Sequence, residues 1–198
     1  LAKEMGLPIN KIIVATNSND VLHKLISKNS YKKGEVIQTL APSMDISVAS
    51  NFERLLFNLF ENNSKLLKET MSSFPENEIS VPEESWQNMH KFFSSFSSSD
   101  LDILEEIKMT YEQHNYLLDP HTATGVRAAR KLTTDDQSVI CMATAHPAKF
   151  TDAIKKILPE DVVSMPKHLA LLKDKKEKFK VLPNNIDKVR EYILSRVG

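Results

Sequence analysis

Polar and ionisable side chains are concentrated at four short junctions in the sequence. The junctions are residues 17–20, 43–45, 119–122 and 144–149, and each immediately precedes or opens a helical pattern. A helix N-terminus has unpaired N–H groups and a partial positive charge, so such a junction can bind an anion without a glycine-rich loop. Asn17, Ser43 and Asp119 are also preferred capping residues. At any one of the four junctions, capping without a ligand is therefore favoured over ligand binding.

Two histidines in these junctions are candidate general bases, because imidazole is the side chain that exchanges protons near neutral pH. His121 and His146 have no third ligand at metal-binding spacing, so the sequence predicts no metal site. In isolation, each is more often a capping or hydrogen-bonded structural residue. Lys149 could form a Schiff base with a carbonyl compound, but its position in a helix start favours exposure to water.

Glycine is scarce, with only four glycines in 198 residues. They are Gly6, Gly34, Gly125 and Gly198, too far apart to build a G-x-G-x-x-G or G-x-x-x-x-G-K-[ST] motif. The sequence therefore excludes a phosphate-binding loop of either kind within this chain.

Charge and cysteine content restrict the partners and the compartment. The 26 basic residues equal the 26 acidic ones, so the chain lacks the basic excess of proteins that bind nucleic acids or anionic membranes. Its apolar runs are far shorter than the roughly 20 residues that cross a bilayer. Cys141 is the single cysteine, which excludes an internal disulfide and favours a reducing compartment. We therefore expect a cytoplasmic protein with no nucleic-acid or membrane partner.

The junctions lie in a repeated pattern of short apolar strand, polar turn and helix. The predicted strands are residues 11–16, 36–40 and 139–143, and the helices that follow them begin near Val21, Ser50 and Pro147. Ser50 and Glu53 have the spacing of a capping box. This repetition indicates an α/β domain with a mostly parallel sheet, in which ligands bind beyond the carboxyl ends of the strands.

The middle of the chain is predicted to be a helical insert. It has almost no β-branched runs, and its predicted helices span 64–71, 82–93 and 100–111. We interpret the serine-rich stretch 94–99 as a flexible turn rather than a phosphorylation site, with Asp100 as the following N-cap. The predicted organisation is an α/β segment over 1–60, the insert over 61–112, and a return to the α/β domain over 113–198, ending in a helix over 186–197.

At the same four junctions the chain resembles the threonine synthases, a family of pyridoxal 5'-phosphate (PLP) enzymes. The matching motifs are Gly-Leu-Pro-Ile at 6–9, Ala-Thr-Asn-Ser-Asn-Asp at 15–20, Pro-Ser-Met-Asp-Ile at 42–46, Ser-Asn-Phe-Glu-Arg-Leu at 50–55, Asp-Pro-His-Thr-Ala at 119–123 and Ala-Thr-Ala-His-Pro-Ala-Lys-Phe at 143–150. The resemblance spans nearly the whole chain and covers the C-terminal part of the long bacterial and fungal type. It implies an α/β fold that is the C-terminal part of a fold-type II PLP enzyme, similar to tryptophan synthase β.

The resemblance implies a lyase reaction in which O-phosphohomoserine and water become threonine and phosphate, with PLP as electron sink. By motif match, the Thr144 hydroxyl meets the pyridine nitrogen of PLP. A neutral hydroxyl suits that place, because a carboxylate would keep the ring nitrogen protonated. Other residues are implied to lie near the substrate cleft, without individual roles: Asn17, Asn19, Asp20, Ser43, Asp45, Asp119 and His121.

The resemblance also implies what this chain lacks. The family's Schiff-base lysine and its loop for the cofactor phosphate both lie N-terminal to the match, and Lys149 is not that lysine. We therefore expect no catalytic residue within residues 1–198, a chain that begins in mid-protein, and no activity from it alone. The alternatives are a threonine synthase-like phospho-lyase that yields a keto acid and ammonia, and a non-catalytic fragment that acts by binding. The sequence leaves the oligomeric state open.

Overall fold

A computed structural model describes residues 2–172 and 174–197, which form two compact units. The first unit ends at Ser164, and the second begins at Met165. Leu1 lies outside the described residues. The elements of the first unit are β1 (Ile12–Thr16), α1 (Val21–Lys28), α2 (Phe52–Leu59), α3 (Ser64–Met71), α4 (Glu83–Phe92), β2 (Phe93–Ser97), α5 (Asp100–His114), α6 (Pro120–Leu132) and α7 (Thr151–Ile154). The second unit contains α8 (Lys167–Ala170) and α9 (Ile186–Val197).

The two strands pair in parallel, with Ile12 opposite Phe93 and Thr16 opposite Ser97. The prediction of a flexible serine-rich turn is therefore wrong for residues 94–97. Two of the serine hydroxyls in this strand find partners on neighbouring segments of the chain. Ser97 Oγ donates to the Asn17 carbonyl over 2.9 Å, and Ser95 Oγ lies 2.9 Å from His23 Nδ1.

Two predicted strands, residues 36–40 and 139–143, are wrong as secondary structure, because neither pairs with a strand in the described part of the chain. A strand exists only with a neighbour that takes up its main-chain groups. The main chain of Ile37 bonds instead to the side chain of Asn19. In the second segment Ile140 is 82% exposed. The α/β class with a parallel sheet is confirmed, with a small sheet of two strands within the described residues.

The helices predicted over 64–71 and 186–197 are confirmed, whereas two predicted helix caps are wrong. The helix over 186–197 begins as expected, with Asn185 Oδ1 accepting from the N–H groups of Asp187 and Lys188. α2 begins at Phe52, and its N-cap Asn51 makes no side-chain capping bond, so the capping box predicted from Ser50 is wrong. α5 is capped by Ser99 rather than Asp100.

Two clusters of buried apolar side chains support the elements that carry the junctions. One lies around Tyr31, whose ring centroid is 4.7 Å from that of Phe52. The other joins Ile103 and Ile107 of α5 to Ala123 of α6. Small residues on α6 allow it to approach α5 closely, and α6 also packs against both strands. The N-terminus of α6 is therefore held in a fixed position.

None of the helices in the described ranges is long and apolar enough to cross a membrane. The division at residues 60 and 112 stays a prediction.

Candidate functional site

The N-terminus of α6 is organised by the carboxylate of Asp119, which is only 1% exposed. Asp119 Oδ1 accepts from the backbone N–H of His121 over 2.9 Å and from that of Thr122 over 3.4 Å. Pro120 occupies the first helical position, where its missing N–H leaves no donor unsatisfied. Asp119 is thus the helix cap, as the capping alternative predicts, and it also binds two neighbouring side chains.

The first of these side chains is the imidazole of His121, which is held at both nitrogens. Its Nδ1 lies 3.0 Å from Asp119 Oδ1, and its Nε2 accepts from the backbone N–H of Ser43 over 3.1 Å. Because a backbone N–H can only donate, Nε2 carries no proton and Nδ1 donates to the carboxylate. His121 is therefore a neutral residue whose basic nitrogen is already occupied, an arrangement suited to positioning rather than proton abstraction.

The second side chain is Thr122, a residue that the motif analysis did not single out. Its hydroxyl donates to Asp119 Oδ2 and accepts from the backbone N–H of Thr144 over 3.3 Å. Thr122 is 5% exposed. It lies in the polar junction 119–122 and in the motif at 119–123, but ordinary helix capping explains a threonine in the first turn after an aspartate equally well.

Thr144 itself is exposed, whereas Thr122, which binds its backbone N–H, and Asp119, which binds Thr122, are both buried. The segment around it, residues 139–145, forms no helix or strand. Its backbone N–H donates to the Thr122 hydroxyl of α6, while the residue as a whole is exposed. This geometry suits a side chain that meets a ligand with one neutral hydroxyl.

A second network forms where β1 ends, around the carboxylate of Asp45. Asp45 Oδ1 accepts from Asn17 Nδ2 over 2.7 Å, from Asn19 Nδ2 over 3.0 Å and from Thr39 Oγ1 over 2.7 Å. Its Oδ2 accepts from the backbone N–H of Thr39 over 3.0 Å. A carboxylate with four donors is fully satisfied. Asp45 therefore anchors its own loop to the end of β1.

The two asparagines in this network have little capacity left for a ligand. Asn17 is fully buried, and its Oδ1 accepts from the backbone N–H of Asn19 over 2.9 Å. Asn19 uses its amide on both main-chain groups of Ile37, over 2.8 Å each. Asp20 lies outside both networks and pairs with Lys24 over 2.8 Å. These asparagines therefore hold Ile37 and Asp45 against the end of β1, and their expected place near the substrate cleft stays a prediction.

The loop of residues 39–45 joins the two networks. Asp45 fixes its end, His121 holds Ser43, and Asp100 Oδ1 accepts from the backbone N–H of Leu40 over 3.0 Å. The Ser43 side chain is exposed while its main chain is held. The structure thus brings together all of the predicted site residues except Asp20, and it does so through buried polar bonds.

The remaining junction residues behave as the structural alternatives predict. His146 Nδ1 accepts from the backbone N–H of Ala148 over 3.1 Å and caps the short turn Pro147–Lys149. Lys149 is exposed. The next residue, Phe150, packs its ring 4.6 Å from the imidazole of His121. Within the described residues, no group of three or more His, Cys, Asp or Glu side chains is arranged to hold a metal ion.

Comparison with known proteins gives consistent matches. A family model described as threonine synthase, C-terminal, matches residues 122–193. The threonine synthase of Pseudomonas aeruginosa is 43% identical over 195 residues, which cover 98% of this chain and 42% of that protein.

Solved structures give the same result. The structure of PLP-bound threonine synthase from Brucella melitensis matches with a TM-score of 0.86 at 37% identity, covering 97% of this chain and 41% of that one. The threonine synthase structure from yeast matches with a TM-score of 0.83 at 32% identity, covering 99% and 44%. The chain thus spans about two fifths of the length of the proteins it matches.

Proposed function

The chain belongs to the threonine synthase family, as the C-terminal portion of such a protein, and from this premise we propose that the whole protein is a PLP-dependent lyase. It converts O-phosphohomoserine and water to threonine and phosphate. We further propose that it works in the cytoplasm, which the single cysteine and the balanced charge support.

The observation that carries the proposal is the presentation of Thr144. Its hydroxyl is exposed, and its main chain is bonded through Thr122 to a buried helix terminus. Such a hydroxyl can donate one hydrogen bond to an unprotonated pyridine nitrogen without adding a charge. A neutral partner keeps that nitrogen unprotonated, whereas a carboxylate would hold a proton there. The residues present therefore fit the pyridine end of PLP.

PLP, when bound, supplies the electron sink that stabilises negative charge on the substrate carbons. The chain's own residues position the cofactor and the substrate. Thr144 orients the ring through its nitrogen, and the loop of residues 39–45 forms one wall of the cleft. Ser43 is the residue of this loop best placed to contact substrate, because its side chain is exposed while its main chain is bonded to His121. We assign no residue of this chain to the cofactor's phosphate or aldehyde carbon.

The test uses the full-length protein, loaded with PLP and supplied with O-phosphohomoserine. Released phosphate and the organic product are both quantified. One threonine formed for each phosphate released is the expected result. A keto acid with ammonia in place of threonine assigns the protein as a phospho-lyase, and the absence of phosphate release overturns the proposal. A parallel assay of residues 1–198 alone is expected to show no turnover, and turnover there would contradict the absence of a catalytic residue from this chain.

A further inference from the structure

We propose that Thr122 is a positioning residue for the cofactor, acting through Thr144. Its hydroxyl connects the buried carboxylate of Asp119 to the backbone N–H of Thr144, and this connection sets where the Thr144 hydroxyl stands. The inference rests on the proposed function, because Thr144 is placed against PLP only there.

The direction of each hydrogen bond at Thr122 is determined by its neighbours. Asp119 Oδ1 already accepts from the N–H groups of His121 and Thr122 and from Nδ1 of His121. A carboxyl group that receives this many donors is an ionised acceptor, so Oδ2 accepts the Thr122 hydroxyl hydrogen. That hydroxyl has only one hydrogen, and its oxygen therefore faces the Thr144 N–H with a lone pair. The Thr144 N–H therefore donates to the Thr122 hydroxyl, and that hydroxyl donates to Asp119.

Asp119 and Thr122 are held by the packing of α6, whereas Thr144 has no helix or strand around it to hold it. Asp119, the N-cap of α6, is 1% exposed, and Thr122, in the first turn of that helix, is 5% exposed. The helix packs against α5 and both strands. Threonine is branched at Cβ, which restricts its rotation further. Thr144 lies in a segment that, within the described ranges, belongs to no helix or strand. A hydrogen bond from such a segment to a fixed side chain decides its position.

A second chain of hydrogen bonds leads from the Asp119 carboxylate through His121 to the backbone N–H of Ser43. Thr122 and His121 thus act on different exposed residues, one in the cofactor's environment and one in the wall of the substrate cleft. A change at Thr122 should therefore alter the affinity for PLP and its absorbance. If Thr122 only supported the fold, its loss would disturb the positions of both Thr144 and Ser43.

Three variants of the full-length protein test this. Thr122→Val removes both hydrogen bonds with almost no change of shape, and Thr122→Ser keeps the hydroxyl. Thr124→Val is the matched control, because Thr124 is also fully buried on α6 but donates only to the Pro120 carbonyl within the helix, over 2.9 Å. The readouts are the dissociation constant for PLP, the absorbance spectrum of the bound cofactor, and the hydrogen-exchange rate of the Thr144 amide without cofactor.

Thr122→Val is expected to weaken PLP binding about tenfold, to shift the absorbance spectrum, and to speed Thr144 amide exchange about tenfold, as for loss of one buried hydrogen bond. Thr122→Ser should remain within about twofold of wild type in each readout, as should Thr124→Val. The inference is overturned if Thr122→Val matches wild type or if Thr124→Val changes as much. Failure of the wild-type protein to bind PLP would overturn both this inference and the proposed function, and normal binding with an unaltered Thr122→Val would overturn the inference alone.

Discussion

The backbone N–H of Ser43 donates to Nε2 of His121 over 3.1 Å, although the two residues are 78 positions apart in the chain. This bond places an exposed loop residue against a buried helix terminus. The bond also determines which nitrogen of His121 carries the proton: Nε2 accepts a hydrogen bond and is therefore unprotonated, so the proton is on Nδ1. The imidazole therefore holds the loop of residues 39–45 rather than acting as a base.

Replacing His121 should affect substrate binding more than the chemical step. His121→Ala removes the acceptor for Ser43, so the KM for O-phosphohomoserine should rise about tenfold, with a smaller fall in kcat. His121→Gln, whose side-chain oxygen can reach the position of Nε2, should recover part of this loss. The control is His114→Ala, which alters an exposed residue at the end of α5. Steady-state kinetics of the full-length protein measure these effects, and an unchanged KM in His121→Ala would refute the positioning role.

Asp45 should govern the rigidity of the same loop. Its carboxylate accepts four hydrogen bonds, two of them from Thr39. Asp45→Ala should therefore lower the free energy of local opening by about 2 kcal/mol, which speeds exchange of the Thr39 amide about thirtyfold. Asp20→Ala is the control, because it removes only a partly exposed ion pair with Lys24. Equal exchange of the Thr39 amide in the two variants would be evidence against the anchoring role.

The ion pair between the buried Glu106 of α5 and Arg130 of α6 should contribute more to stability than an exposed pair on the surface. Glu106 is completely buried, and its Oε1 accepts from Arg130 Nε over 2.7 Å. Arg130→Ala leaves this carboxylate without its cation, which should lower the free energy of unfolding by about 3 kcal/mol. Lys108→Ala breaks the exposed pair with Glu112 and should change it by less than about 0.5 kcal/mol. Urea unfolding of the full-length protein tests this, and similar losses in both variants would contradict it.

The hydrogen bonds of Asp102 at the start of α5 should make the free energy of unfolding depend on pH. The hydroxyl of Ser99, which donates to the Asp102 carboxyl, lowers the pKa of Asp102 from 3.8 to about 2, with further help from the Ser99 N–H and Arg127. Because the folded-state pKa is the lower one, the stabilisation is complete above about pH 4 and is lost as the pH falls towards 2.

Asp102→Asn should therefore be less stable than wild type at pH 6, and the difference should shrink steadily below pH 4. Thermal unfolding of the full-length protein across this range measures the effect. The exposed Asp135 provides the control Asp135→Asn, which should follow wild type throughout. A deficit in Asp102→Asn that stays constant down to pH 3 would show that the carboxylate charge is not responsible.

Helices with their own start signals could be predicted from the sequence, and so could the four polar junctions that carry the candidate site, because both depend on local signals. α3 and α9 have their own caps and apolar periodicity, and the four polar junctions stand out by composition alone. The strands could not be predicted in the same way. Phe93–Ser97 is a strand because β1 lies beside it, whereas residues 139–143 have the composition of a strand but no partner in the described part of the chain.

The internal bonds of the site were also beyond local reasoning. Asn17 and Asp45 were predicted to lie near one cleft, and the structure shows them bonded to each other at 2.7 Å. Thr122 was not predicted to be a site residue, because a threonine in the first turn of a helix is common. Its importance arises from the Thr144 N–H, which reaches it from 22 positions further along the chain.

The most direct test of the central claim is the cofactor spectrum and turnover of Thr144→Ala in the full-length protein, with Thr144→Ser as the conservative control. If the Thr144 hydroxyl bonds the pyridine nitrogen, Thr144→Ala should shift the absorbance of bound PLP and lower kcat at least tenfold, and Thr144→Ser should retain most of both properties. A Thr144→Ala protein with the wild-type spectrum and the wild-type rate would contradict the account.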